Sequence, residues 1–73
     1  MGRRVVSANQ LSDIFAKRFR DLHPLSRIAG FMVKSTGNGE WLPLGYLGKM
    51  EDGLSADAAA ILQAMKTEFL IDE

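Results

Sequence analysis

The chain has no cysteine, and histidine and proline are nearly absent: one histidine, His23, and two prolines in 73 residues. Without cysteine there is no disulfide framework to brace a small fold, and the composition fits a reducing compartment. A lone histidine with no carboxylate cluster beside it leaves nothing to hold a metal, and no motif points to a cofactor. No apolar stretch approaches the roughly 20 residues of a membrane span. The start, Met-Gly-Arg-Arg-Val-Val, carries basic residues but no apolar run after them, which argues against a secretory signal and makes the cytoplasm the expected location.

Net charge is also missing, yet the charges are sorted. Residues 1–34 hold seven basic groups against Asp13 and Asp21, a balance of +5; residues 35–73 hold Lys49 and Lys66 against seven acids, a balance of −5. Such halves attract each other, within one chain or between two, or else the basic half marks a nucleic-acid face.

What is present in quantity is apolar side chain, 47% of the residues. A chain this short makes one domain and buries only about 60% of the surface its unfolded form exposes. With disulfides and metals set aside, a partner chain is the remaining way to add burial.

The first element is announced at Ser7. Ser7 and Gln10 make a capping box, with Val6 and Leu11 placed as a hydrophobic staple. Leu11, Ile14, Phe15, Phe19 and Leu22 then recur at helical spacing, and Pro24 disfavours helical geometry at His23, so a helix is predicted over 7–22. Residues 27–34 and 41–47 read as strands joined at Ser35-Thr36-Gly37-Asn38-Gly39, where Gly and Asn accept the positive φ of a tight hairpin. Pro43 lacks an N–H and places the second strand at a sheet edge. Ser55 reads as the next N-cap, and Leu54, Ala58, Ile61, Leu62, Met65 and Phe69 form the stripe of a second helix over 55–69. Leu70 and Ile71 leave that stripe, so the end frays or docks in extended form. Val5 and Val6 suit a strand but are too few to argue one.

The predicted fold is α+β in the order α-β-β-α, a single domain over 1–73 with two helices on one face of a small antiparallel sheet. Residues 1–6 are expected as a mobile basic arm and 70–73 as an acidic tail.

Strand parity divides the hairpin into two faces. One carries Ala29, Phe31, Val33, Leu42, Leu44 and Tyr46, and its larger side chains suit the helices. The other carries Ile28, Met32, Trp41, Pro43 and Leu47 around a dent at Gly30 and Gly45. Left open, this second face forms an apolar patch of the kind that marks interaction sites.

These residues predict a non-enzymatic protein–protein interaction module, a regulator or adaptor, forming a homodimer through Ile28, Met32, Trp41, Pro43 and Leu47. The rival is nucleic-acid binding through Arg3, Arg4, Lys17, Arg18, Arg20 and Arg27. Neutral net charge and the lack of any nucleic-acid-binding signature weigh against it. Nucleophilic catalysis is disfavoured, because His23 stands at a helix end where the dipole accounts for it. The Gly37-Asn38-Gly39 turn lacks the spacing and following helix of a phosphate loop. No small-molecule substrate is indicated. Arg18 interrupts the apolar arc between Ile14 and Leu22; its stem can cover apolar surface while its head meets Glu68, Asp72 or Glu73.

Overall fold

The capping box forms as the spacing predicts: the Ser7 hydroxyl accepts from the Gln10 N–H at 3.1 Å, and the Gln10 side chain accepts from the Ser7 N–H at 2.8 Å. In this computed structural model, which describes residues 2–72, the elements run β1 (Arg4–Val6), α1 (Ala8–Leu22), β2 (Gly30–Gly37), β3 (Glu40–Leu47), α2 (Ser55–Glu68) and β4 (Phe69–Ile71). The protein is thus a small α+β fold with two helices and an antiparallel hairpin. The predicted α-β-β-α order lacks the two outer strands.

Those strands pair with each other. β1 and β4 run parallel, with Arg4 opposite Phe69, Val5 opposite Leu70 and Val6 opposite Ile71. Residues 4–6, expected as part of a mobile arm, lie in a strand instead, and residues 70–71 take the extended, docked form that is one of the two outcomes expected for the end of the chain. Val6 of β1 and Phe69 and Ile71 of β4 are buried, and these side chains fix the two short segments to the core. The tail is also joined to the hairpin turn, where the Ile71 N–H donates to the Gly39 carbonyl at 2.8 Å.

Helix α2 begins one residue differently from the expectation. Leu54 is the cap residue and makes no side-chain cap bond, so Ser55 is inside the helix rather than capping it. Asp57 does lie in the first turn, where a carboxylate meets the positive end of the helix dipole.

The hairpin turns on Asn38 and Gly39, both at positive φ (57° and 79°), the two-residue geometry that suits strand twist. Its register is not uniform. Phe31 faces Tyr46 and Met32 faces Gly45, but Val33 faces Pro43, leaving Leu44 as an extra residue on β3. Nearer the turn, Ser35 faces Trp41 and Gly37 faces Glu40, leaving Thr36 as an extra residue on β2. Two bulges on opposite strands therefore cancel, and only Trp41, Leu42 and Pro43 are shifted by one place. A one-residue shift moves a side chain to the other face. Trp41 is turned inward and Leu42 outward, opposite to simple alternation.

The core lies between this inner face and both helices: Leu11, Phe15 and Phe19 from α1, Phe31 and Trp41 from the hairpin, Leu62 and Met65 from α2, with Ile28 and Phe69 closing it. Phe15 is central, its ring 5.3 Å from Phe31 edge-on and stacked on Phe19 and Tyr46 at 5.6 and 5.8 Å. The Trp41 indole N–H is satisfied inside this core by the Phe69 carbonyl at 3.2 Å.

Candidate interaction surface on the hairpin

Which hairpin residues reach solvent follows from the bulges. Met32 is 50% exposed, Leu42 47%, Leu44 63% and Leu47 42%. Met32 and Leu47 were expected on the open face and are there. Ile28 and Trp41 were also expected there and are corrected: each is only 2% exposed and belongs to the core. Pro43 is exposed but opposite Val33, on the shifted stretch. Leu42 and Leu44, assigned by parity to the covered face, take the places of Trp41 and Ile28. The signal that identifies them is Pro43 itself, since proline within a sheet is confined to edges and bulges.

The open face is therefore Met32, Leu42 and Leu47 with Leu44 at the bulge. Gly45 keeps it shallow, since a side chain there would meet the Met32 methyl at 3.4 Å. Beside it a groove of about 400 Å³ runs between the first turns of α1 (Ala8, Asn9, Ser12) and the hairpin (Met32, Val33, Leu44, Leu47). Helix α1 is held there by the Ser12 hydroxyl, which accepts from the Phe31 N–H at 3.1 Å.

The basic residues of the rival reading are not gathered in the same way. Arg3 binds Glu40 through both terminal nitrogens and also donates to the Lys66 carbonyl at 3.0 Å. Arg18 makes a two-pronged pair with Glu68 at 2.7 and 2.9 Å, and its guanidinium lies 5.7 Å from the Phe69 ring centre. These bonds hold the Glu40 and Glu68 carboxyls below the usual carboxylate range and raise both arginines further. Arg20 touches its own helix at the Ala16 carbonyl. Arg4, Lys17 and Arg27 are exposed, spread over β1, α1 and the loop before β2.

No family model, curated protein or solved structure matches the chain.

His23, the lone histidine, joins the end of α1 to the start of α2, its Nε2 lying 2.8 Å from the Asp57 carboxylate. Beside it, Leu22, Pro24, Leu25 and Leu54 line a shallow hollow that includes Ser26 and Glu51, which bond weakly to each other at 3.4 Å. Among the described residues, no group of three or more His, Cys, Asp or Glu is placed to hold a metal. No described helix is long and apolar enough to cross a membrane.

Proposed function

We propose that the chain is a small, non-enzymatic protein-interaction module of the regulator or adaptor kind, which docks its partner on the outer face of the hairpin. One observation carries this reading: four large apolar side chains, Met32, Leu42, Leu44 and Leu47, stand 42–63% exposed on one short hairpin. Single exposed leucines are ordinary, but a contiguous group of this size is the usual mark of a binding surface. The face is shaped rather than left over, because two bulges turn Leu42 and Leu44 outward while keeping Trp41 inside.

The test compares capture by the immobilised chain and by its Leu44→Glu variant from extract of the source cells, with further copies of the chain counted among the captured proteins. Leu44 is exposed, so the variant should keep its fold, checked by circular dichroism. Loss of the captured proteins with the variant supports the reading. Unchanged capture, or no capture by either form, defeats it.

A further inference from the structure

The chain carries two asparagines, Asn9 and Asn38, both exposed but in opposite surroundings. Asn9 lies in the first turn of α1. The nitrogen that follows it, the Gln10 N–H, is tied into the capping box by its bond to the Ser7 hydroxyl at 3.1 Å. Asn38 stands at the tip of the hairpin in the left-handed region and precedes Gly39, which has no side chain to shield its nitrogen. An asparagine amide is thermolabile where the following main-chain nitrogen can reach it. Closing a ring between the two takes a rotation about the Asn38 Cα–C bond. An exposed two-residue tip permits that rotation by local opening, and a hydrogen-bonded helical turn opposes it.

We propose that Asn38 is a site of spontaneous deamidation, and that one of its two products unfastens the C-terminal strand from the hairpin. The Gly39 nitrogen gives its proton to water and attacks the Asn38 side-chain carbonyl carbon. The C–N bond that forms closes a succinimide, and the amide nitrogen leaves as ammonia. Water then opens the ring. Opening at the side-chain carbonyl yields aspartate with the main chain unchanged. Opening at the main-chain carbonyl yields isoaspartate, in which the chain runs through the side-chain carbons of residue 38 and its α-carboxylate stands free. The net change is water in and ammonia out, with nothing oxidised or reduced.

Gly39 is also an anchor for β4. Its carbonyl accepts from the Ile71 N–H at 2.8 Å, and a methyl group added to it would lie 3.2 Å from the Leu70 Cβ. Consecutive α-carbons are about 3.8 Å apart across a normal peptide, and isoaspartate inserts one more carbon between those of residues 38 and 39. A hydrogen bond has only a few tenths of an ångström to spare before it is lost. The displaced Gly39 carbonyl therefore releases Ile71, while the other edge of β4 keeps β1, where the Asp72 N–H donates to the Val6 carbonyl. Aspartate adds the same negative charge without moving the carbonyl, so the two products separate charge from geometry.

The test follows the full chain through storage at neutral pH. Mass spectrometry of its peptides should show Asn38 gaining the mass of an amide-to-acid change at least about tenfold faster than Asn9, with isoaspartate and aspartate both formed. In the separated isoaspartyl protein, hydrogen exchange at the Ile71 amide should be at least about tenfold faster than in fresh protein, while the α1 amides keep their protection. The Asn38→Asp variant should match fresh protein. Asn38→Gly retains a residue that accepts positive φ and removes the amide, so its Ile71 exchange should not change on storage. Equal lifetimes for Asn38 and Asn9 overturn the site. Ile71 protected in the isoaspartyl form as in fresh chain, protection lost throughout α1 as well, or protection lost in stored Asn38→Gly overturns the release of β4.

Discussion

Gly30 is where helix and hairpin come closest. Its φ is +152°, and a methyl group there would overlap the Ser12 hydroxyl, the group that accepts from the Phe31 N–H. Gly30→Ala therefore forces a backbone change and drives the Ser12 hydroxyl from its bond to the Phe31 N–H. A loss of about 1–3 kcal/mol is expected, read as a lower urea midpoint with unchanged slope. Midpoints within error of the parent would show that neither the Gly30 backbone nor the Ser12 bond to Phe31 contributes to stability. Arg18 shows the opposite relation between residue and fold. Its place inside the apolar arc looks like a defect on the helical wheel, but its stem lies along the helix–helix boundary while its head reaches Glu68 and the Phe69 ring. That pairing was among those the charge pattern suggested.

At the scale of elements, what was legible followed the strength of the local signal. α1 was announced by a capping box, a staple and a proline stop, and it forms as announced. The hairpin turn was announced by the run Gly37-Asn38-Gly39, all three at positive φ, with Asn38 and Gly39 at its tip. β1 and β4 have three residues each and exist through mutual pairing across the whole chain, which no local window reveals. The faces of the hairpin were misassigned because parity holds only for a regular ladder, and two bulges interrupt it. The bulges make a direct test possible. Exchanging Trp41 and Leu42 would improve burial if the ladder were regular. With the observed register the exchange puts tryptophan into water, leaves a void behind leucine and removes the indole bond to the Phe69 carbonyl. A loss of about 2–4 kcal/mol is expected, with tryptophan emission shifted to the red in the folded state. A stable variant with buried emission would require the regular register instead.

For the whole molecule, the charge sorting in the sequence becomes a clasp. Each described ion pair joins a basic group of residues 1–34 to an acid of residues 35–73: Arg3 to Glu40, Arg18 to Glu68, His23 to Asp57. The halves that carry +5 and −5 meet inside one chain, which weakens the case for a basic face held out to nucleic acid. The pH dependence follows from the carboxyls. Arg3 and Arg18 hold the Glu40 and Glu68 carboxyls below their ordinary value of about 4.5, so on acidification the unfolded chain takes up protons first. The contribution of these pairs is fully present above that value and is lost as pH falls through the lower folded-state values. Both pairs are partly exposed, which screens them and keeps the contribution small. Urea midpoints measured from pH 7 to pH 3 should stay level to about 5 and then fall. In Glu68→Gln the fall should be shallower, with a modestly lower midpoint at pH 7, and added salt should narrow the difference between the two proteins at neutral pH. A Glu68→Gln profile parallel to the parent's would mean that the α1–α2 clasp does not contribute to stability, leaving the aromatic core around Phe15 to hold the two halves together.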